Sequence, residues 1–136
     1  ETSEKEFILN FDQDSNPKKI TKSIEIVYGL RNFIGNANKY SKSKIFITLK
    51  SDNDVSEITI EDDGEGYSNE ILSKIGEPYL QDYRISDEKK KGLGLGIFIG
   101  KNLLEKNFAN LSCRNSKTRN GAEVIIKWQN KDLFKI

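Results

Sequence analysis

Apolar and polar residues alternate with period two in several short stretches. Phe7, Leu9 and Phe11 alternate with Ile8 and Asn10; Ile45, Ile47 and Leu49 alternate with Phe46, Thr48 and Lys50; Ile58 and Ile60 alternate with Thr59 and Glu61. Such alternation predicts half-buried strands, the second and third forming a hairpin around residues 51–54. Leu111 and Cys113 predict a fourth strand, and Val124, Ile125, Ile126 and Trp128 a last, buried one after a turn over 115–121. Steps of three and four predict a helix from a cap at Thr21 or Ser23 to about Tyr40, with Ile24, Val27, Tyr28, Leu30, Ile34 and Ala37 as its core-facing stripe. Gly29 and Gly35 each weaken it by roughly 1 kcal/mol relative to alanine, so packing must hold it. Residues 68–76 fit a short helix capped by Ser68 or Asn69 and ended by Glu77-Pro78-Tyr79. Ile97, Phe98, Ile99, Leu103, Leu104 and Phe108 have the pattern of a buried helix reaching about Asn107. Residues 80–91 have no apolar period and end in Lys89-Lys90-Lys91, which predicts a lid that is mobile when the site is empty. The order β-α-β-β-α-lid-α-β-β predicts an α/β two-layer sandwich, three main helices on one face of a mixed, mostly antiparallel sheet.

With 136 residues the chain is one domain and buries roughly two-thirds of its unfolded surface. The expected limits are a core over about 7–128 and a lid over about 77–92. Lys plus Arg number 22 against 21 Asp plus Glu, so no global charge favours nucleic acid and any anion site is local. No run reaches the ~20 apolar residues of a membrane helix. The chain begins at Glu1 and has no Met, which reads as a piece of a longer protein; it also has no His, so no imidazole within it can act as base or phosphate acceptor. The lone Cys113 reads as a small buried hydrophobe rather than a sensor.

Three stretches carry candidate chemistry. Gly92-Leu93-Gly94-Leu95-Gly96 runs into a helix, where bare backbone and the positive helix end suit phosphate. It is neither a dinucleotide fingerprint, since the sixth position from Gly92 is Ile97, nor a P-loop, since Gly100-Lys101 has Leu95 five residues before it and Asn102 after it. On the first long helix Asn32, Asn36 and Tyr40 recur every four residues, with Lys39 three beyond Asn36. That face is either a solvated surface or a ligand-facing one; asparagine is a poor helix former, so solubility alone explains it badly. In Asp62-Asp63-Gly64-Glu65-Gly66 a strand ends in carboxylates and alternate glycines, either an ordinary acidic turn or a rigidly held acceptor for a ligand amine.

In this order the Asn/Asn/Lys/Tyr helix face, the Asp-x-Gly-x-Gly turn, Glu77-Pro78-Tyr79 and the Gly-Leu-Gly-Leu-Gly stretch resemble the catalytic ATP-binding domain of sensor histidine kinases. These belong to the wider gyrase/Hsp90/kinase/MutL (GHKL) group with the Bergerat fold, and the likeness covers about residues 7–128. It implies Mg²⁺ held at Asn36 with Asn32 one turn earlier, Lys39 on a phosphate and Tyr40 near the nucleoside. Asp62 would accept from the adenine amine, with Gly64 and Gly66 letting the base approach and Tyr67 beside them. Tyr79 would stand in the F box where Phe is usual, and Gly92, Leu93, Gly94, Leu95 and Gly96 would cradle phosphate. Gly121 would be the late glycine of the final hairpin, followed by Ala122 where Thr is common. Stretches such as Glu25-Ile26-Val27-Tyr28-Gly29-Leu30 and Gly76-Glu77-Pro78-Tyr79 are similar to the RegB/PrrB-type redox-responsive kinases, although Gly35 and Lys39 depart from them.

The resemblance implies ATP and Mg²⁺ as cofactors and transfer of the γ-phosphate to a histidine on an upstream dimerisation domain of the same, homodimeric protein. A response regulator acts downstream, and the domain is cytoplasmic in an inner-membrane kinase. The fragment alone is expected to bind ATP without phosphorylating itself. Two alternatives stand beside it: a hydrolysing ATPase or anti-sigma-type serine kinase, and a degenerate module that binds a nucleotide or protein without chemistry. The former requires a general base where Asn32 stands, and an amide cannot take that proton. The latter requires lost ligands, and Asn36, Asp62 and the glycines are all present.

Overall fold

A computed structural model describes residues 5–11, 23–75 and 93–136, the last with side chains from Gly96 onward. The predicted lid, Tyr79 and Gly92 lie outside the described residues. Five strands form one sheet in the order β1-β2-β3-β5-β4: β1 (Glu6–Phe11), β2 (Lys44–Ser51), β3 (Val55–Asp62), β4 (Asn110–Asn115) and β5 (Ala122–Gln129). β1 runs parallel to β2, Phe7 beside Ile45, and all other pairs are antiparallel. The predicted mixed, mostly antiparallel sheet is therefore observed. Helices α1 (Ile24–Tyr40), α2 (Asn69–Ser73) and α3 (Leu93–Lys106) complete the sandwich. Ser23 caps α1 by accepting from the Ile26 N–H, and Ser68 caps α2 by accepting from the Ile71 N–H.

The core joins Ile60, Val124, Ile126 and Trp128 from β3 and β5 to Phe33 of α1 and Ile97 and Leu104 of α3. The stripe predicted on α1 holds at Ala37 and, at the core's edge, at Leu30 and Ile34, but fails at Ile24 and Tyr28. Ile24 is 75% exposed and Tyr28 56%, while Ile26, Gly29, Phe33 and Ala37 are buried; Leu30 and Ile34 pack at the edge. The reason is a reciprocal fit between helices. A Cβ on Gly29 would stand 2.7 Å from Leu104 Cγ, and one on Gly100 would stand 2.6 Å from Phe33 Cε2. Each glycine is the hole for the other helix's large residue, so the buried face passes through a position with no side chain. Gly35, by contrast, has nothing within 4 Å.

Helix α3 begins at Leu93, so Gly94 and Gly96 lie within it rather than in a turn before it. Ile99 and Phe108, expected to be buried, are 38% and 44% exposed. Phe108 ends the helix instead, at φ 74: its N–H bonds Glu105 O and the Ala109 N–H bonds Leu104 O, the two bonds of a Schellman turn with an aromatic in the glycine position. Glu25 ties the far end of α1 to α3 through Lys106 and Asn107, and Asn107 O accepts from Trp128 Nε1 at 3.0 Å. The packed region continues past Trp128 in a 3₁₀ helix, Asn130–Lys135, which buries Leu133.

Candidate nucleotide site

β3 is the middle strand of the sheet and delivers Asp62 to its end, where the residue is 4% exposed. Asp62 Oδ1 accepts from the Gly64 N–H at 2.8 Å and the Ala122 N–H at 3.3 Å; Oδ2 accepts no hydrogen bond from a described residue. Burial raises the pKa of this carboxyl, and the two amide bonds oppose that without cancelling it. Glycines let the backbone close around it. A Cβ on Gly121 would meet Asp62 O at 2.0 Å, and one on Gly64 would meet Tyr40 O at 2.2 Å. Gly64 thus makes room for the end of α1, where ligand approach was expected; Gly66, at φ +78, does line the cavity.

The next carboxylate points elsewhere. Asp63 accepts from the N–H groups of Lys42, Ser43 and Lys44 at 2.8, 3.0 and 3.2 Å, and from Ser43 Oγ at 2.9 Å. Burial works to raise its pKa, but these donors prevail and hold it at about 2. Asp63 is the first residue beyond β3 and turns away from the cavity. Asp62 faces the cavity, while Asp63 pins the turn from α1 to β2. The sequence gives no signal for that second role, because the three converging amides exist only once the turn has formed.

A cavity of about 250 Å³ lies between the C-terminal half of α1 and the ends of β3 and β5. Asn36, Lys39, Tyr40, Asp62, Gly66 and Tyr67 of the expected residues line it, and so do Ala122 and Lys42, the latter not anticipated. This is near the lower end of small-molecule sites, roughly 300–1,000 Å³, with residues 76–92 outside the description. Lys39 Nζ is 5.5 Å from the Tyr40 ring centroid. Tyr67 is buried, lines the cavity and has its hydroxyl hydrogen-bonded to Cys113; burial pushes its pKa well above the ordinary tyrosine value. Burial also pushes the Cys113 thiol up to about 12, the state of an inert core residue.

Gly96 of α3 faces both asparagines. A Cβ there would stand 3.4 Å from Asn36 Nδ2 and 3.6 Å from Asn32 Oδ1. Asn32 spends its amide donor on its own helix, bonding Tyr28 O at 2.9 Å, and is not a cavity-lining residue. Asn36 makes no side-chain hydrogen bond to a described residue, and its Nδ2 is buried. A polar side chain left open at a cavity is a candidate ligand-binding group. Leu93, Gly94 and Leu95 are placed by their backbone in the first turn of α3. Among the described residues no three His, Cys, Asp or Glu side chains converge on a metal position. A hard cation here would need amide oxygen, ligand oxygens and water, a set that Mg²⁺ accepts. No helix of the described residues is long and apolar enough to cross a membrane.

Residues 21–132 match the family described as "Histidine kinase-, DNA gyrase B-, and HSP90-like ATPase". The chain is 37% identical over 108 residues to the sensor histidine kinase RegB of Cereibacter sphaeroides, covering 76% of this chain and 23% of that protein; it thus spans about a quarter of that relative's length. A mycobacterial sensor histidine kinase, MprB, is similar in structure with a TM-score of 0.74 at 21% identity, over 93% of this chain and 84% of that one. Full-length ShkA, solved in complex with AMPPNP, has a TM-score of 0.67 at 20% identity, over 90% of this chain and 25% of that one. With its five-stranded mixed sheet and the cavity at the end of β3, the chain belongs to the histidine kinase-, DNA gyrase B- and HSP90-like ATPases, as a catalytic domain of the sensor histidine kinase type.

Proposed function

We propose that the cavity binds Mg-ATP, with adenine at Asp62 and the phosphates toward Lys39 and the start of α3, and that the γ-phosphate passes to a histidine elsewhere in the same protein. The observation that carries this reading is the Asp62 carboxylate. It is buried at a strand end, fixed through one oxygen by two backbone amides, and has its other oxygen open to accept from an exocyclic amine. Asn36, open beside Gly96, would supply an amide oxygen to Mg²⁺, which neutralises phosphate charge when bound. Lys39, on the cavity rim, would meet phosphate oxygens. The glycines of α3 remove side chains where phosphate would approach, and Tyr40 and Tyr67 would pack on the nucleoside.

With no His in the chain, the acceptor belongs to another part of the protein, in our reading an upstream dimerisation domain. A response regulator would then receive the phosphoryl group, and the domain would work on the cytoplasmic side of a membrane-bound kinase. Asn32 bonded into its own helix supports phosphotransfer over water activation, since no general base stands at that position. The RegB relationship makes a RegB-type parent the reading of choice.

The test is calorimetric titration with ATP, with and without Mg²⁺. Asp62→Asn keeps the fixed oxygen but turns a donor toward the adenine amine, and is expected to weaken binding roughly 10- to 100-fold. Asn36→Ala is expected to remove the Mg²⁺ dependence. Equal affinity of wild type and Asp62→Asn would overturn the adenine site; no binding by folded wild-type protein would overturn the function.

A further inference from the structure

Residues 65–67 form one wall of the cavity and belong to no helix or strand. Among the described residues neither Gly66 nor Tyr67 makes a backbone-to-backbone hydrogen bond. A side chain does that work instead. Asn115, the last residue of β4, accepts from the Tyr67 N–H through Oδ1 at 2.7 Å and donates from Nδ2 to Tyr67 O at 2.9 Å. Its amide thus takes the place of an adjacent strand. Gly66 accommodates it, because a Cβ there would meet Asn115 Oδ1 at 2.7 Å, and φ +78 disfavours any other residue.

Asn115 pairs across the hairpin with Ala122, whose N–H bonds Asp62 Oδ1. One rung of the sheet therefore holds two parts of the site, the acceptor carboxylate through Ala122 and the Tyr67 wall through Asn115. We propose that Asn115 is a positioning residue of the nucleotide site: by fixing Tyr67 relative to Asp62 it sets the width of the base slot, and so governs affinity for the nucleoside part of the ligand rather than for its phosphates. This rests on the nucleotide reading above. Because Asn115 is itself exposed, truncating it opens no core cavity, and its effect on the site is separable from its effect on the fold.

The experiment compares affinities for ATP, ADP and adenosine in wild type, Asn115→Ala and Asn115→Asp, with melting temperatures alongside. Asn115→Ala is expected to weaken all three ligands by a common factor of roughly 5 to 30, the scale of two lost hydrogen bonds. Asn115→Asp keeps the acceptor to the Tyr67 N–H but sets a carboxylate oxygen against Tyr67 O, and is expected to bind all three no better than Asn115→Ala. Unchanged affinities in folded variants, or a loss for ATP that adenosine does not share, would overturn the positioning role while leaving the nucleotide site standing. Wild-type protein that binds none of the three would overturn both.

Discussion

Gly29 and Gly35 occupy the same helix, and alanine at the two sites is expected to act with opposite sign. At Gly35 a methyl group enters open space, since nothing lies within 4 Å. The gain is then the helix propensity alone, about 1 kcal/mol, or roughly 3–6 °C in melting temperature for a domain of this size. At Gly29 the same gain meets Leu104, fully buried, whose Cγ would lie 2.7 Å from the new carbon. Carbon atoms pack at about 3.5–4.0 Å, so Leu104 or the helix pair must shift. Such overpacking costs about 1–3 kcal/mol, and the net change is a loss of up to ~2 kcal/mol.

Removing the obstacle should restore the gain. Leu104→Ala alone costs about 2–5 kcal/mol; in that background Gly29→Ala is expected to stabilise, a coupling of about 1–3 kcal/mol. Urea unfolding followed by the fluorescence of Trp128, the only tryptophan and 1% exposed, measures all five proteins. If Gly29→Ala in the wild-type background stabilised as much as Gly35→Ala, the close approach of the two helices would not be the reason for this glycine, and the reasoning would fail.

Gly96→Ala is expected to raise stability by about 1 kcal/mol, because its Cβ finds ordinary contact at 3.4 Å, yet to weaken Mg-ATP by filling the space between α3 and Asn36; calorimetry showing undiminished affinity would count against a phosphate path there. Asp63→Asn is expected to lose about 1–2 kcal/mol at pH 7, as charge-assisted bonds become neutral ones. Since the folded pKa of about 2 lies below the ordinary 3.8, Asp63 contributes fully above pH ~4 and loses its contribution as pH falls toward 2. Unfolding midpoints of variant and wild type should therefore converge on acidification, and a gap that stayed constant would refute the clamp. Cys113 is expected to alkylate with iodoacetamide at pH 8 on the order of 100-fold more slowly than an unhindered thiol; a normal rate would reopen a redox role.

What could be read from the chain depends on how local the determinant is. Alternation in β2 and β3 identified both strands because one face of each is buried, and Asp62 with its glycines was legible because strand end, carboxylate and turn are contiguous. Helix α1 was legible as a helix but only in part in its facing. Ile24, Ile26, Val27, Tyr28, Leu30, Phe33, Ile34 and Ala37 make it apolar over much of its circumference, and the choice between stripes is made by Leu104, from a helix far along the chain. The same limit hid the contributions of Asp63 and Asn115. Each bonds backbone groups that converge only after the sheet is assembled, and nothing in residue type marks an asparagine as a stand-in for a strand. Asn32 and Asn36 were legible as neighbours on one helix face; that both oppose Gly96 is a fact about packing.

Asp62 at the last position of β3 and Asp63 just beyond it make sheet register an error check on chemistry. A slip of β3 by one residue against β2 and β5 would put Asp63 or Glu61 in the place of Asp62, and Gly64 or Asp62 in the place of Asp63. One direction costs the clamp its carboxylate and the other gives the cavity a longer acid, and in both the buried Ile60 and the half-buried Ile58 change faces. Insertions in surrounding loops leave this arithmetic untouched. A change of length is therefore tolerated at the tip between β2 and β3, while any within β3 is rejected twice, once by folding and once by function.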